Sequence, residues 1–390
     1  MTVLDQIEAE IDLPDHEWQL IHSVRKLAEE KIRPRAADHD LRGGFPWDNV
    51  SDLNALGMNG MFIPEEYDGF NFSYLSYLLC VREISKACAS TGITFATNFH
   101  AASPLVDFCN DEQKKRFLPV LLRGGLASIA LTEPNAGSDA TGMQTQFKRI
   151  GNEIEINGAK IFITSGDVAD LVVLFGKWSE LGQGRDAISI VVVEKGTPGF
   201  EIIRTEHKMG IKASSTAALA FDSCRVPMQN LVGAPGQGLT MLFQFLNKSR
   251  PSVAAHALGI ARAAFEDSIQ YVNERKQSGR RILENQGIQF LIADLASELA
   301  LCESWLWQVG KMVDKGYEGI GQASSILKLR ASDLAMRMTT EAVQLHGGYG
   351  YTQDYRAERL MRDAKITQIW EGTNQIHRQL IGKGFLSKSS

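Results

Sequence analysis

The stretch IQFLIADLASELALCESWLWQVGKMV, residues 288–313, decides the architecture. Its apolar residues Ile288, Ile292, Leu295, Leu299, Cys302, Leu306, Val309 and Val313 are separated by alternating steps of four and three. That spacing holds one apolar seam along a helix, and the seam must be covered by neighbouring helices. Long helical segments joined by short Gly-bearing loops flank it. Together they predict a C-terminal four-helix bundle over residues 236–390.

Upstream of Gly236-Gln237-Gly238 the period changes. DLVVLFGKW (170–178), AISIVVVE (187–194), GFEIIRT (199–205) and AALAFDSCRV (217–226) read as strands set apart by Gly, Pro and polar turns. GNEIEINGAKIFITSG (151–166) alternates across Asn157-Gly158, which predicts a hairpin there. Residues 125–235 are therefore expected to form an antiparallel β-barrel or sandwich.

Residues 1–124 return to helical spacing, as in EWQLIHSVRKLAEEKIRPRAADHD (17–40) and SYLSYLLCVREISKACAS (73–90). DEQKKRFLPVLLRGG (111–125) has Asn110 or Asp111 as an N-cap and Gly124-Gly125 as its stop. The fold class is α+β, with a helical domain, a β domain and a helical bundle in that order.

Composition narrows the function. The chain of 390 residues is 44% apolar with a net charge of −5, which gives no electrostatic case for a nucleic-acid partner. No apolar run approaches the roughly 20 residues that cross a bilayer. The acidic N-terminus carries no signal-like core, so a cytoplasmic location is expected. Five scattered cysteines form no CxxC pair and suit a reducing compartment, and no ligand spacing suggests a metal.

Several stretches could carry chemistry. LTEPNAGSDA (131–140) offers hydroxyls and free backbone N–H groups suited to an anion such as a pyrophosphate; an ordinary polar loop would look the same. In KIFITSG (160–166), Phe162 and Thr164 fall two apart on one strand face, where a ring and a hydroxyl could hold a planar heterocycle. The glycines of QLHGGYGYT (344–352) permit close backbone approach to a ligand, or merely end a helix. Arg275, Lys276, Arg280 and Arg281 could meet phosphates or complement a helix C-terminus. In QIWEGTNQI (368–376), Thr373 caps a helix and Glu371 precedes it. Burial against Ile369 and Trp370 would raise the Glu371 pKa toward that of a general base, whereas exposure would leave an ordinary turn residue.

LTEPNAGSDA, QLHGGYGYTQDYRAERLMRDAKI and QIWEGTNQIHR, in this order, resemble the acyl-CoA dehydrogenases, and the resemblance extends over nearly the whole chain. It implies non-covalent FAD between the β domain and the bundle, a homotetramer, and an electron-transfer flavoprotein as electron acceptor. By that similarity Ile129, Ala130, Leu131, Thr132 and Ser138 line the flavin and its phosphates. Phe162 covers the ring system, with Ile163 beside it and Thr164 near flavin N5. Arg275, Gln277, Gln286, Gln344, Leu345, His346, Gly347 and Gly348 reach the FAD of a partner subunit. Thr373 and Gln375 hold FAD beside the base. Ser138, Asn247, Arg250, Trp370 and Gly372 meet the acyl-CoA.

The resemblance makes Glu371 the base that takes the α-proton while a hydride leaves the β-carbon, giving a trans-2-enoyl-CoA. Ser249 occupies the site where some relatives place the base instead, and it cannot serve. Enoyl-CoA reduction, an oxidase reaction or a non-catalytic CoA-ester-binding scaffold are the alternatives on the same framework. Trp370, Thr367, Ala96, Thr97 and His100 are expected around the acyl group, and the bulk of Trp370 favours short, branched or cyclic chains. Ser278 and Arg281 depart from the family's usual Phe and Pro, and Ile129 lacks an aromatic found in some relatives.

Overall fold

The computed structural model describes residues 3–386. Helices fill the first part of the chain: α1 (Val3–Ala9), α2 (Asp15–Leu27), α3 (Arg33–Arg42), α4 (Trp47–Ala55), α5 (Tyr74–Ala87), α6 (Ala89–Phe108) and α7 (Asp111–Leu122). The segment expected as one helix over 17–40 is a rod with a π turn, Ala28–Ile32, between α2 and α3. Pro34 follows immediately. It offers no N–H and crowds the carbonyl four residues back, and a widened turn accommodates both. At α7 the Asn110 side chain accepts from Gln113 N–H while Gln113 returns a bond to Asn110 N–H, the reciprocal cap that stops fraying.

The strands of the main sheet are β1 (Ala127–Ala130), β2 (Gln146–Ile150), β3 (Glu153–Thr164), β4 (Leu171–Trp178), β5 (Ile188–Glu194), β6 (Phe200–Thr205), β7 (Thr216–Pro227) and β8 (Leu231–Val232). Their order is β6-β7-β3-β2-β4-β5-β8, with β1 beside β4. Two features differ from expectation. First, the sheet is mixed, because β1 and β2 both run parallel to β4, pairing at Ala127↔Leu171 and at Gln146↔Lys177. The chain travels along one edge of β4, leaves it as the loop that begins LTEPNAGSDA, and returns in the same direction. Second, Asn157-Gly158 makes no hairpin. β3 runs straight through it with a bulge against β7, and the turn falls at Gly151-Asn152. A Cβ at Gly158 would lie 2.5 Å from Thr145 Oγ1, so glycine here serves close packing and not chain reversal.

Alternate residues of β4 and β5 enter different cores. Val173, Phe175, Ile190 and Val192 pack with Leu105, Phe117 and Leu121 from α6 and α7. Val172, Leu174, Val191 and Val193 pack with Phe147, Ile156, Leu219 and Phe221 from β2, β3 and β7. The sheet therefore curls over itself, while no pairing among the described residues joins β6 to β8.

The chain ends in helices α8 (Gly238–Glu274), α9 (Gln286–Asp314), α10 (Ile320–His346), α11 (Ala357–Lys365) and α12 (Asn374–Lys383). In the predicted seam of α9, Leu295, Leu299, Leu306 and Val309 are fully buried, and they share one core with α5, α8 and α10. No helix among the described residues is long and apolar enough to cross a membrane.

Candidate active site

Glu371 stands in the short link between a 3-10 turn (Ile366–Gln368) and α12, where Thr373 Oγ1 caps the helix by accepting from Ile376 N–H. Glu371 and Gly372 both adopt left-handed backbone, at φ 50° and 90°. Glycine takes this readily, whereas glutamate does so at a cost that surrounding bonds must offset. Two buried side chains supply them. His377 Nε2 lies 3.1 Å from the Glu371 carbonyl, and Lys328 Nζ of α10 donates to the Gly372 carbonyl at 2.8 Å and to Asn374 Oδ1 at 2.9 Å. Asn374 is held in turn by Ser332 and Asp333. The backbone N–H of Glu371 donates to no described residue.

The residue is half-buried, but its carboxyl end points inward, where Ser249 Oγ of α8 donates to Oε2 at 2.7 Å. Burial raises the Glu371 pKa; the Ser249 hydrogen bond and the charges of Arg250 and Lys328 pull the other way without cancelling it. The expected direction holds, but the source differs. Ile369 is 48% exposed and adds little; Ser249 and Arg250 of α8 and Lys328 of α10 stand around the carboxyl. Burial also lowers Lys328, to about 7, against the attraction of Glu371 and Asp333. Arg250 is lowered by burial and raised by Glu371, and its Nε has no partner.

Residues expected beside a flavin fall in two groups. In the first, Ile129 and Ala130 lie in β1, followed by Leu131 and Thr132 and the exposed Ser138. The loop is pinned from inside: Lys160 Nζ donates to Glu133 Oε1 at 2.8 Å and to the Leu131 carbonyl at 3.0 Å. Glu133 also accepts from Thr145 Oγ1 at 2.6 Å. Phe162 sits in a bulge of β3 at φ 60° with its ring 61% exposed, an arrangement that leaves a flat apolar face open. Ile163 is buried beneath it and Thr164 is half-buried. Ser128 and Ser165 add two buried hydroxyls without partners next to these segments.

In the second group, Arg275, Gln277, Leu345, His346, Gly347 and Gly348 line one cavity of about 460 Å³ with Tyr271 and Tyr349. His346 stacks on Tyr271 at 4.2 Å, and the Arg275 guanidinium lies 5.5 Å from the Tyr349 ring centre. Gln286 and Gln344 are exposed and are not among its lining residues. Both groups suit FAD: aromatic faces, free hydroxyls and a guanidinium match an isoalloxazine and a pyrophosphate.

Of the acyl-side candidates, Trp370, Gly372 and Arg250 gather at Glu371, and Asn247 lies one turn before Arg250 on α8. The Thr367 and Thr97 hydroxyls are spent on their own backbones, at Ala364 O and Ile93 O. Gln375 is exposed on α12.

Sequence reasoning missed Lys328 and His377, and it considered Ser249 only as a position unable to act as the base. The available signals were weak: a lysine among the apolar residues of ILKL (326–329), and a histidine four residues after the cap.

Comparisons with known proteins agree along the chain. Residues 14–125 match the acyl-CoA dehydrogenase N-terminal domain, 128–224 the middle domain and 236–386 the C-terminal domain. An acyl-CoA dehydrogenase of Bacillus subtilis (strain 168) is 40% identical over 93% of this chain and 96% of its own length. A short-chain-specific acyl-CoA dehydrogenase of Clostridium acetobutylicum is also 40% identical, again over 93% and 96%. The solved butyryl-CoA dehydrogenase of Megasphaera elsdenii superposes with a TM-score of 0.94 at 36% identity, covering 97% of this chain and all of that one.

Proposed function

The chain belongs to the acyl-CoA dehydrogenase family, and we propose from that premise that Glu371 is the base of an FAD-dependent dehydrogenation of an acyl-CoA thioester. The enzyme is an oxidoreductase acting on acyl-CoA. The observation that carries the residue assignment is a carboxylate kept dry by burial, yet held in a left-handed turn by Lys328 and His377.

The α-hydrogen of a thioester is too weakly acidic for an unaided carboxylate. Two requirements follow, and one residue meets both. The Glu371 side chain, with its raised pKa, accepts the α-proton. Its unspent backbone N–H donates to the thioester oxygen where charge develops. Lys328 and His377 hold the Gly372 and Glu371 carbonyls and so the turn that follows this amide, and Ser249 fixes the carboxylate. Bound FAD would supply the acceptor for the β-hydride; with the α-proton taken by Glu371, two electrons and two protons leave in all as the carbon–carbon double bond forms. Phe162, Thr164 and the loop from Leu131 to Ser138 hold that cofactor, with Thr373 and Gln375 beside the base. The cavity around Arg275 and Gly347 receives the cofactor of a second subunit in a homotetramer. Arg250, Asn247, Gly372 and Ser138 hold the acyl-CoA.

Trp370 favours short, branched or cyclic acyl groups, an electron-transfer flavoprotein takes the electrons, and the free cysteines suit the cytoplasm. Anaerobic bleaching of the flavin by a panel of acyl-CoAs tests the reading. Bleaching by one or more short or cyclic thioesters is expected. A yellow protein that no acyl-CoA bleaches would overturn it.

A further inference from the structure

On α8, Ser249, Ser252 and His256 follow one another at steps of three and four, share a face, and are all fully buried. Ser249 meets the base. Ser252 Oγ lies 2.8 Å from Tyr77 OH and 2.9 Å from His100 Nε2, so this small group satisfies itself. His256 Nδ1 lies 2.9 Å from Ser85 Oγ. The His256 ring stands 5.6 Å, centre to centre, from the indole of Trp370, the residue just before the base.

Two buried ring nitrogens at this spot have no partner, His256 Nε2 and Trp370 Nε1. Buried polar atoms are nearly always paired, so two orphans on neighbouring rings, tilted at 56° to one another, point to something that completes them. The indole nitrogen can only donate, while a neutral imidazole nitrogen accepts or donates with its tautomer. Burial, helped by His100, pushes His256 down to about 3, and burial alone takes His100 to about 3. Both rings are neutral at any working pH and offer hydrogen bonds without charge.

We propose that His256 and Trp370 form the far wall of the acyl pocket and select an acyl group that ends in a neutral oxygen, a hydroxyl or ketone, over one that ends in plain alkyl. This rests on Glu371 being the base, because that assignment places the acyl group beside Trp370. Rings whose centres stand 5.6 Å apart are near enough for one small polar group to lie between their edges and reach both. A hydroxyl accepts from Trp370 Nε1–H and donates to His256 Nε2; a ketone accepts from Trp370 and from the other His256 tautomer. A methyl group leaves both nitrogens unsatisfied. A carboxylate end would call for a cation, and none among the described residues hydrogen-bonds to either ring; Lys328, one of the two charges that act on Glu371, is engaged by the Gly372 carbonyl and Asn374 Oδ1.

The test uses the flavin-loaded enzyme and two pairs of CoA thioesters in which OH replaces CH3: 5-hydroxypentanoyl against hexanoyl, and 4-hydroxycyclohexanecarboxyl against 4-methylcyclohexanecarboxyl. In at least one pair the hydroxylated member is expected to bleach the flavin with a kcat/KM at least about tenfold higher. Calorimetric Kd values on Glu371→Gln should show the same order without turnover. His256→Leu should bring the ratio close to one, while His256→Gln, which keeps a hydrogen-bonding end, should preserve most of it and guards against simple misfolding. Equal or better use of the methyl member in both pairs overturns the inference, as does a preference for glutaryl-CoA, which would assign the wall to Arg250. If no thioester of any kind bleaches the flavin, the base assignment itself fails and takes this inference with it.

Discussion

Two of the places where this molecule buries carboxylates treat them in opposite ways. Where α1, α2, α5, α8 and α9 meet, Arg82 Nη2 lies 2.6 Å from Glu8 Oε2 and 2.7 Å from Glu83 Oε1. Arg25 binds Glu83 at 3.1 Å, and Arg262 reaches Glu303 and Glu8 at 3.4 Å each. Burial alone would raise Glu83, but the charges of Arg82 and Arg25 outweigh it and hold the carboxyl far below the usual range. Glu8 is lowered by the same two arginines against its own desolvation. Glu371 is also desolvated, but its one hydrogen bond comes from a neutral serine, and its two cations make no hydrogen bond to it. Desolvation therefore wins there. Between these two sites, guanidinium contact or its absence decides whether a buried carboxyl is held charged or has its pKa raised.

The largest test of this contrast is Glu371→Gln. Flavin binding should persist while single-turnover bleaching slows by at least about three orders of magnitude, at or beyond the upper end of general-base effects. The two sites also predict opposite stability effects. A raised folded pKa stabilises below the unfolded value of 4.5, and that stabilisation is lost as pH rises through the folded value. Removing the Glu371 charge should therefore raise the melting temperature at neutral pH, and a fall would contradict the assigned direction.

Arg82→Met comes next. It strands buried carboxylates and should cost about 3–5 kcal/mol of stability, read by denaturant unfolding. Glu8 and Glu83 have lowered pKa values, so the cluster's stabilisation is full above 4.5 and is lost as pH falls through their folded values. The variant should lose this acid-side dependence. Bleaching per folded molecule should stay near normal; a large loss would tie the cluster to catalysis.

Lys328→Met should slow bleaching about 10- to 100-fold by loosening the Gly372 turn. It should also shift the acid limb of the rate profile to higher pH, because a charge that lowers the Glu371 pKa is gone. An unmoved limb would reduce Lys328 to packing. Ser249→Ala should have the smallest effect, about fivefold or less in rate, with a slight upward shift of the same limb.

The elements most legible in the sequence were those whose signals are local. The α9 seam, the Thr373 cap, the reciprocal cap at Asn110 and the four strands from β4 to β7 all depend on residues within a few positions of one another. The Asn157-Gly158 turn misled because glycine answers equally to chain reversal and to close approach, and only Thr145, packed against it, distinguishes them. The parallel course of β1 and β2 along β4 was hidden for a related reason: strand direction is a relation between distant segments.

By itself, the sequence determined the helix–sheet–helix order and the family and singled out Glu371 as the candidate acid, because periodicity, capping and motif order are written along the chain. Only the tertiary structure decided how that acid behaves. Its hydrogen-bond donor lies 122 positions away, and the lysine that holds its turn lies 44 positions from Gly372. Desolvation is a property of the space around a group, and that space exists only once those distant residues have come together.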